Sequence, residues 1–123
     1  MRLFLLAAGG GAIGAGARYL VNVVCAAWLG AAFPWSTVVV NVVGSFAMGV
    51  IMAALSGGSA EWRMFLATGI LGGFTTFSAF SFDAWTLIER QQTALALAYI
   101  AGSVVLSIGG LIAGLSATRA MLP

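Results

Sequence analysis

Residues 72–80 read Gly72-Gly73-Phe74-Thr75-Thr76-Phe77-Ser78-Ala79-Phe80, and they lie inside a long apolar segment. Two adjacent glycines followed by two threonines disfavour a continuous helix, because glycine loses much backbone entropy and β-branched threonine is stiff. In a lipid bilayer, the backbone groups that such a break releases need a partner from the protein or from an ion. We therefore predict a functional break in a membrane-spanning helix at this point.

The composition places the chain in a membrane. Of its 123 residues, 62% are hydrophobic and only 7% are charged, whereas soluble domains carry about 25% charged residues. The absence of histidine argues against transition-metal chemistry, and the single cysteine, Cys25, cannot form an intrachain disulfide. The formal net charge of +2 is too small to indicate nucleic-acid binding.

Four apolar segments are long enough to cross a bilayer, which takes about 20 residues. We predict an all-α protein, residues 1–123, forming one transmembrane domain with spans at about 3–28, 36–55, 62–89 and 92–118. Ser36 or Thr37 can cap the second span, and Gly10 and Gly14 form a GxxxG pair that indicates close helix packing. Since four helices enclose little space for a pathway, we also expect the protein to form oligomers.

The arginines set the expected orientation in the membrane. Arg2, Arg63 and Arg119 fall on one side, Arg90 falls on the other, and Arg18 lies within the first span towards the side of Arg90. With three arginines against two and no lysine, the positive-inside signal is nearly balanced. Either the chain inserts in both orientations, or one weakly favoured orientation prevails.

Polar side chains recur inside the apolar spans. Asn41 can form an interhelical hydrogen bond or donate an N–H to an anion. Tyr99, Ser103 and Ser107 follow one another at intervals of four residues, so they share one face of the fourth helix. Each serine can bond the carbonyl four residues earlier, but three aligned hydroxyls can also replace part of the hydration shell of an ion.

Aromatic rings and two charges within the predicted spans complete the set of candidates. Phe77 and Phe80 share a helix face and can either pack or turn their electropositive ring edges towards a small anion. Asp83 can accept a hydrogen bond, pair with Arg18 or lie in a watery vestibule, and charge within a membrane is functional by default. No histidine or lysine is present to activate a nucleophile, so we do not expect an enzyme.

The motifs resemble those of one known family, the Fluc/CrcB fluoride channels. The resemblance is most specific at residues 72–80, and it continues in the expected order through the other spans. The matching residues are Gly16-Ala17-Arg18-Tyr19 in the first helix, Asn41-Val42-Val43-Gly44-Ser45-Phe46 in the second, and Tyr99, Ser103 and Ser107 in the fourth.

The resemblance implies passive export of fluoride across the cell (inner) membrane, which relieves fluoride toxicity. It implies an antiparallel, dual-topology homodimer with two fluoride pathways at the subunit interface. A structural sodium ion at the dimer centre would be held by the backbone carbonyls of Gly72 and Thr75. The fluoride pathway would involve Asn41, Phe77, Phe80, Tyr99, Ser103 and Ser107. Asp83 departs from the family pattern, since many relatives have a glutamate there.

Two other functions and one other assembly stay open. A small proton-coupled multidrug exporter would need a membrane-embedded carboxylate; the first span has none, although Asp83 could serve. A non-transporting membrane scaffold would explain the packing glycines but not the hydroxyl stripe. The chain could also pair with an oppositely oriented paralogue instead of with itself.

Overall fold

A computed structural model describes all 123 residues, and every regular element in it is helical. Helices α1 (Arg2–Leu29) and α2 (Trp35–Ala54) form the first two spans, and α6 (Thr93–Met121) forms the fourth. The third span consists of α3 (Ala60–Arg63), a π-helix (Met64–Leu71), α4 (Gly72–Phe74) and α5 (Phe77–Glu89). Four segments are long and apolar enough to cross a membrane, which confirms the prediction of an all-α protein with four spans.

Short connections join the spans. Gly30 ends α1 with a φ of 76°, a left-handed conformation that glycine adopts without steric cost. At the start of the third span, the Ser59 hydroxyl accepts hydrogen bonds from the backbone N–H groups of Glu61 and Trp62. The suggestion that Ser36 or Thr37 caps α2 is wrong, because α2 follows Pro34 and has no side-chain cap.

Glycines allow close backbone contact between two pairs of helices, α1 with the third span and α2 with α6. A side chain at Gly14 would overlap the carbonyl oxygen of Ile70, and one at Gly10 would lie 2.5 Å from the carbonyl oxygen of Phe65. In the same way, Gly49 of α2 lies against the backbone of α6 at Leu111. Because such contacts leave no room for a Cβ atom, α1 packs tightly on the first part of the third span, and α2 packs tightly on α6.

An ion pair and the positions of the connections distinguish the two ends of the bundle. A surface ion pair of 2.9 Å joins Arg2, at the start of α1, to Glu61, at the start of the third span. The start of α1 and the start of the third span therefore lie at one end, which we call the N-terminal end. The α1–α2 connection and Arg90 lie at the other end, which we call the loop end.

Little of the chain is buried within one copy. Only 17 of 123 residues are buried, and the largest fully buried side chains are Tyr99, Leu87 and Val40. A small core of Ala84, Leu87, Ala96 and Tyr99 joins α5 to α6. The rest of the apolar surface faces outward, towards lipid or further protein.

Candidate functional site

The third span changes conformation at Thr75 and Thr76. Both residues have extended backbone, with φ and ψ of −84° and 160° at Thr75 and of −153° and 124° at Thr76. The Thr75 hydroxyl donates to the carbonyl of Leu71 at 2.8 Å, which closes α4. The Thr76 hydroxyl accepts from the N–H of Ala79 at 3.1 Å, which caps α5.

Asn41 of α2 pairs with the extended backbone. Its Nδ2 donates to the carbonyl of Thr76 at 3.0 Å, and its Oδ1 accepts from the N–H of Thr76 at 2.8 Å. Asn41 therefore makes the interhelical hydrogen bond that was one of its two predicted roles. A side-chain amide carries two N–H groups, so one N–H of Asn41 is still available to a ligand.

Two carbonyls at this point lack their usual helical donors. In a continuous helix, the N–H of Thr76 would bond to the carbonyl of Gly72, and the N–H of Ala79 would bond to the carbonyl of Thr75. Here these two N–H groups donate to Asn41 and to the Thr76 hydroxyl instead. No turn, loop or side-chain hydrogen bond reaches the carbonyl of Gly72 or Thr75. Both oxygens have thus lost the donors that a continuous helix would give them.

A groove of about 470 Å³ runs beside these residues, between α2, α5 and α6. It contains five of the six residues predicted for the pathway, together with both threonines of the extended segment and several apolar side chains. The predicted residues that line it are Asn41, Phe77, Phe80, Ser103 and Ser107. Polar groups from α2 and α6 therefore meet the rings of α5 in one space.

The hydroxyl of Ser103 differs from three hydroxyls of the third span. Thr75, Ser81 and Thr86 each donate to the carbonyl four residues earlier. Ser103 makes no such bond: its side chain is 6% exposed, and its Oγ atom is buried without any hydrogen-bond partner. A buried hydroxyl without a partner is costly, so Ser103 is a donor that a ligand in the groove can use.

Tyr99 does not line the groove, although it shares the spacing of Ser103 and Ser107. It is 1% exposed, and its hydroxyl donates to Asp83 Oδ2 at 3.1 Å. Its ring lies behind that of Phe80, with 5.2 Å between the centroids, and Phe80 in turn lies 5.4 Å from Phe77. The three rings form a continuous aromatic row beside the groove.

Asp83 accepts two hydrogen bonds and forms no ion pair. Thr37 of α2 donates to its Oδ2 at 2.6 Å, in addition to the bond from Tyr99. The one ion pair in the protein joins Arg2 to Glu61, so Asp83 does not pair with Arg18, one of the roles considered for it. Arg18 is partly buried, and its Nε atom has no hydrogen-bond partner.

The sequence interpretation missed the contribution of Thr37. Thr37 is 6% exposed and precedes Asn41 by four residues, so both lie on the same face of α2. That spacing is the signal that could have revealed it.

Asp83 also lines a second cavity, of about 300 Å³, together with Asn22, Cys25, Arg90 and the α1–α2 connection. This loop-end cavity combines a carboxylate, an amide and a guanidinium.

These features define a class: a multi-pass helical membrane protein with a polar groove beside an extended segment of its third span. The comparison of sequences identifies the family. Residues 5–115 match the family described as CrcB-like protein, Camphor Resistance (CrcB), and the chain belongs to this family.

Relatives match the chain over almost its whole length. It is 52% identical over 122 residues to a fluoride-specific ion channel FluC of Rhodospirillum centenum, with 97% of both chains covered. It is 57% identical over 110 residues to a FluC of Cereibacter sphaeroides, with 89% of both covered. A FluC of Rhizobium meliloti is 50% identical over 125 residues, covering 99% of this chain and all of the relative. The family is one of non-enzymatic transporters, as the lack of a catalytic arrangement predicted.

Proposed function

We propose that this protein is a fluoride-selective channel that exports fluoride passively and so reduces its toxicity. One observation carries the proposal: the groove within the apolar spans contains a buried serine hydroxyl, on Ser103, that has no partner in the protein. The names of the relatives, all fluoride-specific ion channels, support the same ion.

The chemistry of the groove suits a small, strongly hydrated anion. Ser103, Ser107 and the remaining N–H of Asn41 offer neutral donors, and the rings of Phe77 and Phe80 offer electropositive edges. Together these groups can replace part of the water shell of fluoride. Neutral donors also hold the ion weakly enough for it to leave, which conduction requires.

The proposal includes a homodimer with two pathways at the subunit interface. Phe77, beside the groove, is 77% exposed, and Gly72 is exposed at the level of the extended segment. In a single copy both residues would face lipid, and the carbonyl of Gly72 would do so without its usual helical donor, which is costly. A second copy over this face would cover both residues and close the groove.

The two copies would be antiparallel, because the arginine bias is nearly balanced. Arg2, Arg63 and Arg119 at the N-terminal end oppose Arg90 and Arg18, so insertion in both orientations has little cost. Light scattering in detergent should give the mass of a dimer. A reporter at the C-terminus should be accessible from both faces of the membrane; a reporter accessible from one face alone would indicate parallel copies or an oppositely oriented paralogue as partner.

A structural sodium ion would bind at the extended segments of the two copies. The carbonyls of Gly72 and Thr75, which have lost their usual helical donors, are hard oxygen ligands, and two from each subunit would give four. The ion would also supply fixed positive charge beside the anion pathway. Since a ligand that binds only the folded state raises its stability, the thermal midpoint should be higher in sodium than in an organic cation. Equal midpoints, or a structure with bound ions that lacks this one, would contradict the site.

Fluoride efflux from liposomes tests the function directly. We expect purified protein to release fluoride from loaded vesicles when a potassium ionophore balances the charge, and to release no chloride. A fluoride electrode measures the first, and a chloride electrode the second. Fluoride release no faster than from empty vesicles would rule out the channel.

Liposomes with a pH gradient and an organic cation separate the other two functions. A proton-coupled multidrug exporter would move organic cations in response to a pH gradient, whereas a scaffold would move nothing. The exporter would need a carboxylate in its substrate path, and the carboxylate of Asp83 is held by Thr37 and Tyr99 outside the groove. The geometry therefore favours the channel.

A further inference from the structure

The α1–α2 connection ends in a tight turn that fixes two aromatic rings. The carbonyl of Phe33 accepts a hydrogen bond from the N–H of Trp35 at 2.8 Å, across Pro34 with a φ of −79° and a ψ of 65°. These are the dihedrals of an inverse γ-turn, and the proline ring holds φ at this value. The rings of Phe33 and Trp35 lie side by side, 4.6 Å between centroids.

The turn presents the ring of Phe33 to Tyr99. The two rings meet edge to face, with a centroid distance of 5.5 Å and an interplanar angle of 89°. This is a preferred geometry for an aromatic pair. Tyr99 is thereby held from two directions, by Phe33 at its ring and by Asp83 at its hydroxyl.

Tyr99 in turn supports the ring of Phe80. The centroids of Tyr99 and Phe80 are 5.2 Å apart, and Phe80 lines the groove whereas Tyr99 and Phe33 do not. Phe33 also packs against the small core that contains Tyr99. A continuous row of rings thus joins the α1–α2 connection to the groove: Trp35, Phe33, Tyr99, Phe80 and Phe77.

We propose that Phe33 is a positioning residue of the ion pathway, which fixes the ring of Tyr99 and through it the ring of Phe80. The inference rests on the proposed fluoride channel and extends it to a connection outside the spans. Phe33 touches no ion. Its contribution is to keep Phe80 in one orientation, so that the ring edge faces the groove.

Flux measurements on matched variants test this role. Phe33→Leu keeps an apolar side chain but loses the ring, and we expect fluoride flux in liposomes to fall roughly two- to tenfold. Phe33→Tyr keeps the ring and should retain most of the flux. Phe4→Leu, at an exposed phenylalanine of the N-terminal end, is the control and should match the wild type. Flux in Phe33→Leu equal to that in Phe4→Leu would overturn the inference.

A second variant covers the case in which Phe33→Leu does not fold. Pro34→Ala keeps both rings but frees the φ angle of the turn, and it should lower flux in the same direction by a smaller factor. In a Tyr99→Phe background, where the bond to Asp83 is lost, Phe33→Leu should cause a larger loss than in the wild type. Independent, multiplicative losses would show that Phe33 does not act through Tyr99.

A readout without fluoride transport separates this inference from the proposed function. A fluorinated phenylalanine at position 80 reports the surroundings of that ring by ¹⁹F NMR. The resonance should shift or broaden in Phe33→Leu and stay unchanged in Phe4→Leu. A wild-type protein without fluoride flux but with this shift would refute the channel and keep the positioning role; an unchanged resonance would refute the positioning role whatever the flux.

Discussion

The third span packs in two different ways on the two sides of Thr75 and Thr76. Before them, the π-helix Met64–Leu71 lies against α1 through glycine contacts that leave no space for a methyl group. After them, α5 lines a groove of about 470 Å³, and Phe77 is 77% exposed. The first part of the span therefore fixes its position against α1, while the second part leaves a polar groove open beside it.

The largest expected effect concerns the anchored part. In Gly14→Ala, the new methyl group would overlap the carbonyl oxygen of Ile70, which is backbone and cannot rotate away. We expect a loss of about 3 kcal/mol or more in folding stability, at the upper end for overpacked sites. Gel filtration in detergent should show little monodisperse protein.

Gly9→Ala, five residues earlier in the same helix, is the matched control. A side chain at Gly9 would have no atom within 4 Å, and alanine is a better helix former than glycine by roughly 0.5–1 kcal/mol. Gly9→Ala should therefore raise folding stability slightly, whereas Gly14→Ala should lower it. If Gly14→Ala folded as well as Gly9→Ala, the first part of the third span would not be tightly anchored.

The anchored part was easier to predict from the sequence than the groove. Four spans follow from length and hydropathy alone, and the pair of Gly10 and Gly14 indicated close packing before any contact was known. Spacing of four residues also placed Ser103 and Ser107 on one helix face. These are local patterns that depend on one helix at a time.

The hydrogen bonds of the site could not be predicted in this way, because they join different helices. The amide of Asn41 had two possible uses, and only the relative position of α2 and Thr76 shows which one it makes. Tyr99 shares the spacing of the serines, yet its long side chain carries the hydroxyl away to Asp83. The π-helix before Thr75 had no signal in the sequence that we recognised.

The second largest expected effect concerns Phe80, a ring of α5 that lines the groove. We expect Phe80→Ile to lower fluoride flux roughly tenfold, since losing aromatic contacts worth about 1.4 kcal/mol changes a rate by that factor. The proposed dimer should stay intact, because isoleucine keeps an apolar side chain at this partly buried position. Phe4→Ile, the same change at an exposed site, should leave flux unaltered. Unchanged flux in Phe80→Ile would remove this ring from the pathway.

The smallest effect distinguishes the two kinds of hydroxyl. Ser103→Ala removes a buried hydroxyl that has no partner in the protein, so folding stability should not fall. If that hydroxyl solvates the passing ion, flux should drop roughly fivefold, the equivalent of about 1 kcal/mol for one net hydrogen bond. Liposome efflux and a thermal melt, measured on the same preparation, give both quantities.

Ser81→Ala is the natural counterpart, because the hydroxyl of Ser81 is already bonded to the carbonyl of Phe77 at 3.0 Å. Removing it costs an intrahelical contact on an exposed face and should leave flux unchanged. A drop in flux without a drop in stability at Ser103 alone assigns its hydroxyl to the ion. Equal flux in the two variants would mean that the unpaired hydroxyl of Ser103 is a cost that the fold tolerates without use, and the groove would lose its best donor.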